Sequence, residues 1–101
     1  MILIHDLGKI RELNSLIRKL DKNDAKSNSY SLYSMKAHAK EIEQLFLKND
    51  PHWAAETVDL LIHCLLLLQR NHFKDQDINK LVGKRYKRFE EKILAALENT
   101  K

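Results

Sequence analysis

The 101-residue sequence has few of the residues that make turns or covalent links, with one proline, two glycines and one cysteine. β-Hairpins and tight bends rely on glycine and proline at particular positions, so this scarcity argues against a small β-sandwich or barrel. The single cysteine, Cys64, excludes an intrachain disulfide framework and a multi-cysteine metal site. It also favours a reducing, cytoplasmic location.

Long hydrophobic runs are absent as well. The longest apolar run, at 60–68, is interrupted by His63 and is about half of the ~20 residues that cross a bilayer. The first residues lack a basic leader followed by a continuous apolar region and a cleavage site, so they do not resemble a signal peptide. We expect a cytoplasmic protein that has no membrane partner.

What the sequence does have is amphipathic helical patterning. Apolar residues make up 44% and charged residues 32% of the chain, and apolar positions recur every third or fourth residue. This pattern predicts one all-α domain over residues 1–101, built as a four-helix bundle. We expect helices over about 1–20, 30–48, 51–70 and from 75 onward, with the polar segment 21–29 as a loop.

Several packing and capping expectations follow from this pattern. On the first helix, the apolar stripe is expected to be buried: Leu3, Leu7, Ile10, Leu13, Ile17 and Leu20. On the second helix, the inner residues are expected to be Met35, Ala39, Ile42, Leu45 and Phe46. On the fourth helix, they are expected to be Ile78, Val82, Tyr86, Phe89, Ile93 and Leu97. Asp50 and Asp75 are predicted N-caps, with Pro51 in the first turn of the third helix.

The third helix is apolar nearly all round between Val58 and Leu68. A helix of this kind lies at the centre of its bundle or in a subunit interface. Because a four-helix monomer of this length cannot readily cover so much apolar surface, we expect a dimer or a dimer of dimers.

The net charge of +4 is concentrated, because six basic residues and two acidic residues lie between Lys74 and Phe89. Such a run suits an anionic partner such as a phosphate, a nucleotide or a nucleic acid, and it also occurs on solvated helix faces.

Three polar side chains share one side of the apolar third helix. Glu56, Asp59 and His63 project within an arc of about 60°. Two buried carboxylates this close repel each other unless a cation lies between them, and oxygen ligands suit Mg²⁺ or Mn²⁺ better than zinc. The alternative is a partly exposed Glu56, stabilised by the helix dipole, and an Asp59 paired with a lysine.

The second helix supplies polar groups opposite these carboxylates. The candidates for a shared metal site are Glu41, Glu43 and Gln44. Lys36 and Lys40 lie on the same helix and offer a way to neutralise the carboxylates without a metal. His5, His38, His52 and His72 show no zinc-ligand spacing, so we expect surface or packing roles for them.

The segment ETVDLLIH at 56–63 resembles the Glu-x-x-Asp motif of the all-α nucleoside triphosphate pyrophosphatases, which include MazG and phosphoribosyl-ATP pyrophosphatase. The resemblance extends over roughly residues 30–90. Asn-Ser-Tyr at 28–30 is a weaker match, and INKLVGKRYKRF resembles the basic last helix of the family. It implies Mg²⁺-dependent hydrolysis between the α and β phosphates of a nucleoside triphosphate or phosphoribosyl nucleotide.

Residue roles follow from the resemblance. Glu56 and Asp59 match the family's metal-binding carboxylates. The family's earlier Glu-x-x-Glu matches either Glu41 with Gln44 or Lys40 with Glu43, and the first register keeps the apolar pattern intact. The resemblance therefore implies catalytic roles for Glu41, Glu56 and Asp59. It implies substrate contacts for Lys84, Arg85, Arg88 and His63.

Either register loses one carboxylate. A catalytically weak or silent relative that binds a nucleotide or protein partner is therefore an alternative function. A basic helical nucleic-acid-binding module, which uses the fourth helix, is a third.

Overall fold

The computed structural model describes residues 7–100, which form four α-helices. These are α1 (Leu7–Leu20), α2 (Asp24–Leu47), α3 (Trp53–Arg70) and α4 (Asp75–Asn99). The predicted all-α class is confirmed over this range, and the four helices are compatible with a helical bundle. Within it, no helix has both the length and the apolar character needed to cross a bilayer.

Helix α3 is the centre of the packing, because it contacts both α2 and α1. The core cluster brings together Leu7 from α1, Leu65 from α3 and Ile78 from α4. Leu66 of α3 is also buried. The nearly continuous apolar surface of α3 explains its central position, as the sequence predicts.

Helix α2 begins at Asp24, so the prediction of a loop over 21–29 is wrong. Asn23 caps the helix, since its side chain accepts a hydrogen bond from the backbone N–H of Lys26 at 3.1 Å. Asp24 then lies in the first turn, where a carboxylate is stabilised by the helix dipole, and it pairs with Arg18 of α1 at 3.2 Å. The turn-forming residues of this segment are an N-cap and the first turns of α2.

The side of α2 that packs overlaps the predicted one only in part, because Met35, Ile42 and Leu45 are half-buried. Its buried residues are Ser27, Ser31 and Ser34, whereas Ala39 and Phe46 are exposed. Small hydroxyl side chains let the backbones of two helices approach closely, and their hydroxyl groups make this face of α2 partly polar. Hydrophobic periodicity underestimates such a face because it counts serine as solvent-facing.

Helices α2 and α3 both end in the same hydrogen-bonded turn. After α2, Asn49 has a φ of 60°, and the backbone N–H of Asp50 donates to the carbonyl of Leu45. After α3, His72 has a φ of 74°, and Phe73 donates to the carbonyl of Leu68. This arrangement satisfies carbonyls left free at a helix end and needs one residue in the left-handed region.

The predicted caps of α3 and α4 are corrected by one to two residues. Asp50 accepts from the backbone N–H of His52, which is itself the N-cap, and Pro51 lies in the turn before α3. Lys74, rather than Asp75, is the N-cap of α4, and the carboxylate of Asp77 accepts its N–H at 3.0 Å.

Helix α4 is joined to the other helices near its first turns. Ile78 is buried in the core, Val82 packs against it, and Asp75 forms an ion pair with Arg11 of α1. Four residues expected to be buried are exposed: Tyr86, Phe89, Ile93 and Leu97. The radius of gyration is 16.5 Å, compared with about 13 Å for a compact domain of this length, so α4 extends beyond the core.

The apolar stripe of α1 is only partly covered. Leu7 is buried, whereas Leu13 is exposed and Leu20 is 91% exposed. The predicted first position of the stripe, Leu3, lies outside the described residues. The polar residue Asn14 is fully buried instead, because its amide donates to the carbonyl of Leu66 and to Gln69 on α3.

Candidate functional site

The α2–α3 hairpin positions the polar groups that form the candidate site. Ser27, Ser31, Ser34 and His38 recur at spacings of three or four and therefore share one face of α2. This face packs against α3, and it places His38 opposite Glu56. The site therefore lies between two helices whose separation is set by small side chains.

Three side chains converge there: His38 from α2 and Glu56 and Asp59 from α3. Each offers one ligand atom, and these atoms all lie within 4.8 Å of one another. Nδ1 of His38 is hydrogen-bonded to Oε2 of Glu56. Glu56 is buried, whereas Asp59 is exposed, so the cluster is open to solvent on one side.

Glu56 is held as a carboxylate by its neighbours. The hydrogen bond with His38 lowers the pKa of the Glu56 carboxyl, and burial opposes this effect. The charge of His52, whose Nε2 lies 3.4 Å from Oε1 of Glu56, lowers the pKa further. Since metal ligands must be deprotonated, Glu56 has the protonation state that a cation requires.

His63 packs next to the cluster, against His38. Its ring stacks on the ring of His38, with centroids 5.4 Å apart, and meets Tyr30 edge-on at 6.2 Å. Its Nδ1 is buried and has no hydrogen-bond partner. Burial lowers the pKa of His63, the charge of His38 lowers it further, and Asp59 opposes the shift. His63 is therefore neutral at pH 7.

This lowered pKa predicts a loss of stability in mild acid. The folded state binds the His63 proton less readily than the unfolded state, whose pKa is near 6.5, so stability falls as pH drops below that value. We expect the midpoint of thermal unfolding, measured in EDTA, to be lower at pH 5.5 than at pH 7.5. In His63→Gln this difference should be smaller.

His72→Asn is the matched control, because His72 is exposed and asparagine tolerates its left-handed backbone. This variant should keep the wild-type dependence on pH. An equal fall of the midpoint in His63→Gln and in the wild type would contradict the assignment to His63.

The structure separates the three metal-ligand candidates on α2. Of the three, only Glu41 is among the groups that act on the pKa of Glu56. Within residues 7–100, neither Glu43 nor Gln44 is joined to Glu56 or Asp59 by a side-chain hydrogen bond, and both side chains are exposed. In that same range, no lysine lies within ion-pair distance of Glu56 or Asp59, so the lysine alternative for these carboxylates is absent there.

Lys84, Arg85 and Arg88 lie on the exposed part of α4. The main helix contacts in the described chain are those of α3 with α2 and with α1. Packing within one chain therefore does not bring these cations to the carboxylates.

The donor set fits a divalent cation. Two carboxylates from one helix and an imidazole from its neighbour are three ligands on one side, with the exposed side left for water or phosphate oxygens. Mg²⁺ prefers oxygen ligands, whereas Mn²⁺ also accepts imidazole nitrogen. Because it includes His38, this cluster favours Mn²⁺ more strongly than the ligands predicted from the sequence, which include no histidine.

Sequence reasoning missed His38, His52 and Arg70, and it assigned surface or packing roles to the two histidines. The signal for His38 was the serine series on α2, which ends one turn before it. His52 lies four residues before Glu56, a spacing that brings two side chains together on a helix. Arg70 lies at the end of α3, where a basic residue is ordinary, so nothing in the sequence marked its burial.

None of the protein-family models, curated proteins or solved structures compared with this chain matches it. The site must therefore be interpreted from its own geometry.

Proposed function

We propose that this protein is a metal-dependent nucleotide pyrophosphohydrolase, of the kind that the 56–63 motif resembles. It would cleave between the α and β phosphates of a nucleoside triphosphate or a phosphoribosyl nucleotide. The observation that supports the proposal is the convergence of His38 with Glu56 and Asp59 across the hairpin. The single free thiol, Cys64, favours a cytoplasmic location.

In this proposal Glu56, Asp59 and His38 hold Mg²⁺ or Mn²⁺. When bound, the cation would neutralise phosphate charge and lower the pKa of a coordinated water. Before the cation binds, Glu56 is kept ionised and oriented by its hydrogen bond with His38. Glu41 is exposed on α2, and we assign to its carboxylate the role of accepting a proton from an attacking water.

Phosphate recognition is assigned to Lys84, Arg85 and Arg88 of a second copy of the chain. These residues are exposed, and α4 extends beyond the core of its own chain. Arginine and lysine stabilise the charge that phosphoryl transfer spreads over phosphate oxygens. In such a site, the basic residues of one copy lie near the carboxylates of the other copy. This arrangement is consistent with the resemblance.

A homo-oligomer is therefore part of the proposal. The chain exposes 8140 Å², whereas a folded monomer of this mass exposes about 6,000 Å². Six large hydrophobic side chains on α4 are exposed, including Phe89, Ile93 and Leu97. Light scattering at micromolar concentration is expected to give the mass of a dimer or tetramer, and the mass of a monomer would contradict this expectation.

The proposed activity is tested by measuring pyrophosphate release from a panel of nucleoside triphosphates and phosphoribosyl nucleotides. Release is expected with Mg²⁺ or Mn²⁺ and is expected to stop in EDTA. The monophosphate product should appear in equal amount, because one bond between the α and β phosphates breaks in each turnover. Release that continues in EDTA would overturn the metal-dependent mechanism.

A second candidate function is nucleotide binding without turnover. It is favoured by the exposed, uncharged Gln44 at a position where the resembling family has a carboxylate. Isothermal titration with Mn²⁺ and a non-hydrolysable nucleotide separates the two functions. Binding that is accompanied by no pyrophosphate release from the matching natural nucleotide would identify the second function.

A further inference from the structure

A second polar site lies in a cavity of about 300 Å³ between α1, α2 and α3. Its walls include Ile17 and Leu20 from α1, Ser31 from α2, and Leu66 and Arg70 from α3. This volume is at the lower end of the range of small-molecule binding sites. The cavity shares His63 with the surroundings of the metal-ligand cluster, but none of the three candidate ligands lines it.

The unusual feature of this cavity is the buried guanidinium of Arg70, which is 3% exposed. Its Nη1 donates to Oδ1 of Asn28 at 3.1 Å and to Oγ of Ser31 at 2.9 Å. Its Nε is buried and has no hydrogen-bond partner. Both acceptors are neutral, so the hydrogen bonds orient the cation without neutralising it.

No carboxylate in residues 7–100 forms an ion pair with Arg70. Asp24 is near enough to act on its charge but is engaged by Arg18 at 3.2 Å. Asp21 and Lys26 also line the cavity, and they pair with each other at 3.4 Å. A buried and unpaired cation is costly, and an arginine remains protonated even when burial lowers its pKa.

The cavity thus combines a buried cation that has no ion pair within residues 7–100 with additional polar groups and an apolar wall. Ser27 and Ser31 supply hydroxyl groups, and His63 is also among the lining residues. Ile17, Leu20 and Leu66 line the same space. A guanidinium binds carboxylate and phosphate oxygens through two parallel N–H groups, and the buried Nε–H of Arg70 has no partner within the described residues.

We propose that this cavity is a binding site for a small organic oxyanion, a carboxylate or a phosphate monoester. The anionic group binds Arg70 and Ser31, and the apolar body of the ligand packs against Leu20 and Leu66. The site requires no metal, so the proposal is independent of the proposed hydrolase function. A bound anion explains why Arg70 is buried although it forms no ion pair within residues 7–100.

The test uses the full chain in EDTA and three probes of similar size: phenyl phosphate, benzoate and neutral benzamide. Isothermal titration is expected to show at least tenfold tighter binding of one or both anions than of benzamide. Binding of phenyl phosphate alone identifies a phosphate site, and binding of benzoate alone identifies a carboxylate site. Failure of both anions to bind more tightly than benzamide at millimolar concentration would overturn the proposal.

Arg70→Gln should weaken binding of the anion at least tenfold. Lys19→Gln, which removes one positive charge from an exposed position of α1, should leave it unchanged. Because Arg70→Gln also removes hydrogen bonds within the hairpin, the wild type provides a second measurement. The Nε–H resonance of Arg70 is expected to shift on titration with the anion, and an unshifted resonance at saturation would refute the assignment.

Discussion

Replacing Asp59 with asparagine is expected to lower metal-dependent pyrophosphate release by more than 100-fold. Loss of a group that only supports a metal ligand costs about 10–100-fold in metal affinity or activity, and Asp59 is proposed as a ligand itself. The amide keeps the shape of the side chain but removes its negative charge. Release is measured at saturating Mn²⁺ or Mg²⁺, with the nucleotide that the wild type cleaves fastest.

The change at Asp59 separates chemistry from folding. Asp59 is exposed, and within residues 7–100 its carboxylate forms no ion pair, so Asp59→Asn should unfold at the wild-type temperature. Glu90→Gln makes the same chemical change on the exposed surface of α4 and should retain wild-type activity. Activity that survives in Asp59→Asn would remove Asp59 from the proposed site.

Ile78→Ala is expected to cause a large loss of stability, about 2–5 kcal/mol. Ile78 is 1% exposed and packs with Leu7 and Leu65, so truncation leaves a cavity where three helices meet. Within residues 7–100 the core contains few buried hydrophobic residues, and domains of this size are stable by only about 5–15 kcal/mol. Urea unfolding, followed by circular dichroism, measures the change.

The same experiment tests how α4 is held. Because Ile78 is the buried residue of α4, its truncation should loosen this helix more than the α2–α3 hairpin. Leu16→Ala is the matched control, since Leu16 is exposed and its truncation should change stability by only about 0.5 kcal/mol. Equal effects of the two variants would show that the core does not depend on Ile78.

Much of the helical organisation was predictable because it depends on local pattern. The apolar third helix was predicted to be central, and α3 contacts both α1 and α2. Segment 21–29 was predicted incorrectly, because asparagine, aspartate and serine occur in loops and in helix caps alike. Whether Ser27 and Ser31 face solvent or a helix depends on the partner helix, which local pattern does not contain.

The candidate site was predictable in the same limited way. Glu56 and Asp59 are close along one helix, so their spacing alone indicated a shared face. His38 is 18 residues from Glu56 and joins it only through the packing of α2 on α3. The basic residues of α4 were expected near phosphates, but within residues 7–100 no ion pair joins them to Glu56 or Asp59.

The sequence by itself determined the all-helical class, the four helices and the pairing of Glu56 with Asp59 on α3, because these depend on spacings of a few residues. Tertiary structure alone decided that His38 completes the cluster and that Arg70 is buried without an acidic partner. Both outcomes depend on how closely two helices approach and how they are aligned. That geometry is set by side chains, such as Ser31 and Ser34, that hydrophobic periodicity does not count.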